Sequence, residues 1–381
     1  MFNAAHVNEM LHASKQYGYT VGETSFDWGS LKEMRDAYVR RLNGIYHRNV
    51  EKAGVTLVYG MAKFVGPKKV EVEGVEYSGD NVMIAVGGTP TMPDVPGVEF
   101  CINRQDLDGF FDLTEQPKKV AVIGAGYIAV ELAGIFNALG TEAHLFIRFE
   151  RAMRYLDPLL SDILDLEMER AGLAVHKNFT TEKITKDEGT GKLTLHSTGG
   201  NAHEGFDVIL MAIGRSPNVG SLGLSAVGVK QSEAGHITVD EWQNTSAEGV
   251  YALGDVTGRV ELTPMAIAAG RRLADRLFAG MTDAKVCGCC WCFCCRDFGP
   301  AVRWNESCQV VGVLGVVVVG FVIVFRHFFD CFTMVKVPLF CMCYASARCR
   351  FLLFRCECMD WMLFMGLGCY SFVVQIKLFQ T

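Results

Sequence analysis

Apolar residues along the chain recur at two spacings, one of three to four residues and one of two, and these divide the first 285 residues into alternating helices and strands. Leu31, Met34, Tyr38, Leu42, Ile45 and Tyr46 keep the helical step, so the pattern predicts an amphipathic helix over 30–52 that Gly54 ends. Four short runs follow, at 55–59, 70–72, 75–77 and 81–86, with Gly74 splitting the second from the third. Their branched and aromatic residues, bounded by glycine, read as strands. Gly87-Gly88-Thr89-Pro90 stops the last of them, and Pro93, Pro96 and Gly97 continue the punctuation into an expected domain crossing.

Beyond it the alternation becomes regular. A strand over 118–123, a tight turn at 124–126, a helix over 129–139 and a strand over 144–147 make a βαβ unit. A helix over 162–171, a strand near Leu173, a hairpin through 189–191 and a strand over 207–212 extend an α/β pattern that closes at Gly214-Arg215-Ser216-Pro217.

Composition changes the picture at one place. Of 15 cysteines only Cys101 precedes residue 287, and the other 14 fall between Cys287 and Cys369. The first 285 residues carry 28 Lys+Arg against 37 Asp+Glu, net −9, and the rest carry 8 against 5, net +3. The chain therefore reads as a composite with a boundary near Lys285. At 50% hydrophobic residues it can bury a sizeable core, which excludes a disordered protein. A net charge of −6 offers no basic footprint for nucleic acid. One cysteine in 285 residues suits a reducing compartment, so the cytoplasm is expected, and the start of the chain has neither the basic nor the apolar segment of a signal peptide.

Gly124-Ala125-Gly126-Tyr127-Ile128-Ala129 fits the dinucleotide fingerprint, with alanine in the third glycine slot and in the required setting between a strand and a helix. The first glycine makes the turn. The second lets backbone approach a pyrophosphate held at the helix N-terminus, and a small third residue lets helix and strand pack closely. At the end of the second strand an acid would bind a ribose 2′-hydroxyl, whereas an arginine accommodates a 2′-phosphate. Arg148 stands there, and Arg151 and Arg154 follow, so a cationic cradle for a dianionic phosphate is expected; the alternative is a solvated basic loop. Val250-Tyr251-Ala252-Leu253-Gly254-Asp255 is an apolar strand ending in Gly-Asp, an ordinary turn or a binder of sugar hydroxyls. Thr263-Pro264 then opens a helix through Phe278 whose dipole could face a developing anion.

These motifs, together with Arg35-Asp36-Ala37-Tyr38, Arg41-Leu42-Asn43-Gly44-Ile45-Tyr46, Ala212-Ile213-Gly214-Arg215, Val239-Asp240-Glu241-Trp242-Gln243-Asn244-Thr245 and residues 262–271, give residues 1–285 a resemblance to the glutathione reductases, class I pyridine nucleotide-disulfide oxidoreductases. The resemblance implies an α/β fold of two Rossmann-like domains, one for FAD and one for NADPH. It divides the chain into a partial FAD-binding domain (1–88), an NADPH-binding domain (89–218) and a central, second FAD-binding segment (219–285). It implies cofactor contacts from Gly124, Gly126, Tyr127, Ile128, Ala129, Glu131, Arg148, Arg154, Gly214, Arg215, Gly254, Asp255 and Thr263. Within that set Arg148 and Arg154 would take the 2′-phosphate, Tyr127 would shield the flavin, Glu131 would lie near the nicotinamide, Asp255 would hold the ribityl or pyrophosphate region, and Thr263 would approach the flavin pyrimidine edge. Tyr46 would face glutathione disulfide; Tyr46 and Glu131 equally fit helix faces with no such role. The implied assembly is a homodimer.

The same resemblance sets an expectation of incompleteness. The family's Cys-x4-Cys pair, its first FAD-binding glycine turn and its C-terminal His-Glu pair have no counterpart in this sequence, and Val86 replaces the threonine of an Ala-Thr-Gly pattern. No catalytic residue is therefore assigned, and an NADPH-binding remnant without turnover stands beside the reductase reading. Residues 286–381 form a Cys-rich apolar tail with no recognisable fold, whose Val, Gly, Cys, Phe and Trp bias suits intron read-through or a frameshift. Overlapping Cys-x2-Cys pairs at Cys289, Cys292 and Cys295 lack the separated knuckles of a zinc site, and the 16 apolar residues 310–325 fall short of the ~20 that a membrane helix needs. Aggregation is the expected behaviour of this tail.

Overall fold

Two helices begin the chain in the computed structural model, which describes residues 1–103 and 109–286; the Cys-rich tail, its Cys-x2-Cys pairs and the apolar run 310–325 lie outside the described residues. Helix α1 (Phe2–Ser14) has no marked apolar stripe and was not legible in the spacing. Helix α2 (Trp28–Lys52) starts two residues before its apolar pattern because Asp27 caps it, its carboxylate accepting the Ser30 amide at 2.9 Å. Gly54, at φ +67°, ends it as expected.

Trp28 fixes this pair of helices to the rest of the molecule. Its ring is buried, lies parallel to Phe136 at 5.8 Å and meets Phe110 edge-on, while its indole N–H donates to the Leu113 carbonyl at 2.8 Å. Burying such a ring with its one donor satisfied stabilises by about 2–3 kcal/mol. From α1, Asn8 donates to the Ala138 carbonyl at 2.6 Å.

Residues 55–59, expected as a strand, are irregular. The strand comes later: β1 (Ala62–Gly66), β2 (Lys69–Val72) and β3 (Val75–Ser78) form an antiparallel meander. In β1 only Phe64 is fully buried and in β2 only Val70 and Val72, an alternation that short windows around Val55 imitate without having a partner strand. β4 (Val82–Ile84) then leads into β5 (Gly88–Pro90), so the punctuation expected to end the run is itself a strand.

The central sheet holds β6 (Lys119–Ile123), followed by α3 (Tyr127–Ala138), β7 (Glu142–Phe146), α4 (Pro158–Arg170) and β8 (Ala174–His176). An antiparallel sheet of β9 (Thr181–Lys186), β10 (Leu193–Ser197) and β11 (Ala202–Phe206) covers one face. The chain then returns as β12 (Val208–Met211) beside β6, giving the parallel order β12-β6-β7-β8. Ile123, Phe146, Leu195, Phe206 and Ile209 share the core between the two sheets.

β13 (Arg215–Pro217) runs antiparallel to β5, pairing Arg215 with Pro90 and Pro217 with Gly88. The outgoing and returning chains thus cross side by side as one ribbon. Finally β14 (Val250–Ala252) lies parallel to β4, and the helix α5 (Thr263–Phe278) follows. Phe64, Val82 and Ile84 share a second core with Leu222, Ile237, Val250 and Val256, so residues before the ribbon and after it pack together.

Candidate functional site

In the order β12-β6-β7-β8 the strand that follows β6 lies on one side and β12 on the other, which makes the carboxyl end of β6 the point where the sheet changes direction, the usual ligand crevice of such sheets. Gly124 leaves β6 there with φ +144°, and a Cβ on it would stand 2.1 Å from the Ala212 carbonyl oxygen beyond β12. Only glycine fits. The same added carbon would meet the Ala129 methyl at 3.2 Å, and Ala129 is fully buried, so the third position of the motif must be small because helix and strand touch here. Gly126 differs: a Cβ would meet nothing within 4 Å, so its backbone borders open space at the N-cap of α3. The first amides of α3 face that space with the positive end of the helix dipole.

The loop after β7 is tied to this turn. Met153, a non-glycine residue at φ +52°, donates its amide to the Ala125 carbonyl at 2.7 Å. Its own carbonyl accepts the Ser161 hydroxyl at 3.0 Å, and Asp165 takes the Ala152 amide at 3.3 Å and the Lys177 ammonium at 2.8 Å. The loop that carries the arginines is therefore held from α4 on one side and from the glycine turn on the other.

The three arginines part company. Arg151 pairs with Asp162, Nε to Oδ1 at 2.6 Å, which corrects the expectation of a three-arginine cradle. Arg148 and Arg154 form no ion pair among the described residues, are exposed, and place their guanidinium carbons 4.7 and 3.6 Å from the centroid of the Phe149 ring. They are the cations available to an anion beside the turn.

Tyr127, the first residue of α3, reaches across the molecule: its hydroxyl donates to the Glu261 carbonyl at 3.1 Å, just before α5. Glu131 lies one turn further along α3, half-buried. Tyr155 stands near both. Its ring is largely open to solvent, but its hydroxyl, donating to Met153 Sδ at 3.2 Å, is pushed up to about 12 by desolvation and then by Tyr127 and Glu131. Sequence reasoning missed Tyr155 because a tyrosine in a charged loop carries no spacing signal.

Gly254 has φ +74° and opens a short 3-10 turn, Gly254–Thr257, beneath α5. Asp255 is half-buried, and its main-chain carbonyl accepts the Gly258 amide at 3.0 Å, which closes that turn. Burial, and then the charge of Asp255, raises the Glu261 carboxyl, with His236 and Arg215 opposing. Thr263 is exposed at the first turn of α5, beside Pro264. Arg215 donates to the Gly88 carbonyl and so belongs to the β5–β13 ribbon; Gly214, at φ +136°, accepts the Thr91 amide there at 2.9 Å. Tyr46 lies exposed on α2.

A profile of the pyridine nucleotide-disulphide oxidoreductases matches residues 3–270. The chain belongs to that family. Family members similar to it include glutathione reductase of Schizosaccharomyces pombe, 47% identical over 294 residues that span 75% of this chain and 62% of the relative. Glutathione reductase of Yarrowia lipolytica is 42% identical over 300 residues, 75% of this chain and 63% of the relative. The chain thus spans less than two thirds of the length of these relatives. Among solved structures, the HOCl-induced flavoprotein disulfide reductase RclA from Escherichia coli superposes with a TM-score of 0.62 at 24% identity, over 73% of this chain and 61% of that one, a likeness of fold.

Within this member of the family the residues present fit a phosphorylated dinucleotide at the β6–α3 turn, on three observations: the glycine that tolerates no Cβ, the open space at Gly126, and two arginines alongside that form no ion pair among the described residues. Asp255 and the start of α5 offer a half-buried acceptor and a helix N-terminus of the kind a flavin nucleotide uses. No described helix is long and apolar enough to cross a membrane, and no described group of His, Cys, Asp and Glu is arranged to hold a metal ion. Cys101 is the one described cysteine; burial, then Glu99, pushes its thiol up to about 12.

Proposed function

We propose that residues 89–218 bind NADPH and that residues 1–88 and 219–285 together form the part of the molecule that faces FAD. The observation that carries the first half is the placement of Arg148 and Arg154, free of carboxylates among the described residues, on a loop hydrogen-bonded to the glycine turn. Gly124, Gly126, Ile128 and Ala129 would seat the pyrophosphate at the start of α3. Arg148 and Arg154 would take the 2′-phosphate by charge-assisted hydrogen bonds. Tyr127 and Glu131 would border the nicotinamide, and Gly214 and Arg215 would hold the neighbouring crossing ribbon in place. Asp255 with Gly254 would accept from sugar hydroxyls of FAD, and Thr263 would present the α5 N-terminus to its ring, where the flavin supplies two-electron chemistry when bound.

The activity proposed for the whole protein is reduction of glutathione disulfide at the expense of NADPH, in the cytosol and as a homodimer, with Tyr46 toward the substrate. Support comes from relatives named glutathione reductase at 47% and 42% identity. A second reading, a nucleotide-binding chain without turnover, is favoured by Cys101, whose half-buried thiol with its raised pKa is unsuited to exchange with a disulfide.

One purified sample separates these readings. Calorimetric titration should give tighter binding for NADPH than for NADH; equal affinity, or none for either, removes the cofactor assignment. A flavin absorbance that bleaches on adding NADPH, with consumption of glutathione disulfide, supports the reductase. Binding without bleaching supports the second reading.

A further inference from the structure

Phe149 is an aromatic residue in a loop of charges, and 37% of its surface remains accessible, so core packing does not explain it. Its ring is instead a platform for cations. Arg148, the residue before it, and Arg154, five after, hold their guanidinium carbons 4.7 and 3.6 Å from its centroid, so the two groups can be no farther apart than the sum of those distances. Two like charges gathered on one ring repel each other. The electron-rich face of the ring partly offsets that repulsion, and a guanidinium that rests on an aromatic face keeps its N–H edge free for an anion. Arg151, in the same loop but off the ring, is neutralised by Asp162. The backbone contributes as well, since Met153 fixes the loop to the Ala125 carbonyl and thereby sets where the ring stands relative to the glycine turn.

We propose that Phe149 is a positioning residue for discrimination between the two nicotinamide dinucleotides: it holds Arg148 and Arg154 together, ring against guanidinium, so that both meet one 2′-phosphate. The proposal rests on the NADPH reading above and adds the element that pre-organises the two arginines. Arginine side chains carry large rotamer entropy, and stacking them before the ligand arrives removes part of the cost of ordering them.

The test uses the full chain and two ligands that differ only in the 2′-phosphate, adenosine 2′,5′-bisphosphate and adenosine 5′-monophosphate, titrated by calorimetry into the wild type, Phe149→Ala, Phe149→Leu and Phe149→Trp. The wild type should prefer the bisphosphate. Phe149→Ala should weaken the bisphosphate roughly tenfold, the combined effect of two exposed cation–ring contacts, and leave the monophosphate within about twofold. Phe149→Trp should restore the preference and Phe149→Leu should not, because a leucine supplies bulk without a quadrupole. Three results overturn the proposal while leaving the NADPH reading intact: an unchanged preference in Phe149→Ala, an equal loss for both ligands, which would mean that the ring contacts the adenine, or full restoration by Phe149→Leu. A wild type with no preference overturns the NADPH reading and the proposal together.

Discussion

The amide of Met153 donates to the carbonyl oxygen of Ala125 across 2.7 Å, so the residue one place before Arg154 is bonded to the middle of the glycine turn. That bond makes the turn and the arginine loop one rigid piece. Met153 adopts a left-handed backbone to make it, a conformation costly for a non-glycine residue, and its buried side chain helps to hold it there.

Removal of either stacked arginine should therefore be felt by one cofactor only. Arg148→Ala and Arg154→Ala should each weaken NADPH by about 1.5–3 kcal/mol, the worth of hydrogen bonds to a charged group, without changing NADH. Arg151→Ala should change neither by more than about 0.5 kcal/mol, because its exposed pair with Asp162 is a surface interaction. Titration of the three variants with both dinucleotides checks this, and an Arg151→Ala that loses NADPH as strongly as the others would contradict it.

Gly124→Ala tests the turn itself. The added methyl meets backbone, the Ala212 carbonyl, which cannot swing aside as a flexible side chain would. A loss of at least about 2 kcal/mol in stability is expected, with NADPH binding abolished in whatever folds. Gly126→Ala meets nothing within 4 Å and should fold normally while binding the pyrophosphate poorly. Urea unfolding and cofactor titration on the two variants separate the structural glycine from the ligand-facing one.

Trp28→Ala should cost about 3–5 kcal/mol, the range for deleting a buried aromatic ring, because it empties the space between Phe110 and Phe136 and also leaves the Leu113 carbonyl without its donor. The expected sign is early loss of α1 and α2, read as rapid amide exchange over residues 2–52 while β6 and β7 stay protected. Uniform exchange across the chain would place Trp28 in a single cooperative unit instead.

Acid should weaken the fold through a cluster of stacked rings. His176 lies 4.3 Å from Phe146 and 4.5 Å from His203, centroid to centroid, and shares a 2.9 Å hydrogen bond with His144, which also meets Glu142. Desolvation, then His203, His144 and Lys119, lower the His176 pKa from 6.5 to about 4. The unfolded chain thus binds the proton first. The neutral ring contributes its full stability above pH 6.5, and that contribution falls as pH drops toward 4. Midpoints of urea unfolding measured across this window should fall with acidification, and His176→Phe should flatten the slope. An identical slope in the variant would assign the effect to other groups.

Cys101 should react negligibly with a thiol-specific reagent at pH 8 while the chain is folded, because burial raises its thiol to about 12. Digestion and mass mapping after labelling in and out of denaturant distinguish this residue from the cysteines beyond 286, and labelling of native Cys101 at the rate of a free thiol would refute it.

Much of this was legible in the residues alone. The strand-turn-helix around Gly124, the helix over 30–52, the hairpin at 189–191 and the helix opened by Thr263-Pro264 all carry local signals, namely periodicity, a cap or a turn residue, and all are present. Two errors share one physical source. Residues 55–59 have the composition of a strand but no neighbour to pair with, and Gly88–Pro90 has the composition of a break but finds Arg215–Pro217 alongside. Helix α1, held by contacts with α3 rather than by an apolar stripe of its own, left no trace in the spacing.

The sequence by itself determined where backbone must turn without a side chain and where apolar residues repeat, since these are constraints among neighbours in the chain. Which arginine stays available to a ligand was decided in three dimensions. Arg148, Arg151 and Arg154 are chemically the same, and only the arrival of Asp162 from α4 and the position of the Phe149 ring distinguish a neutralised cation from two that meet no carboxylate among the described residues.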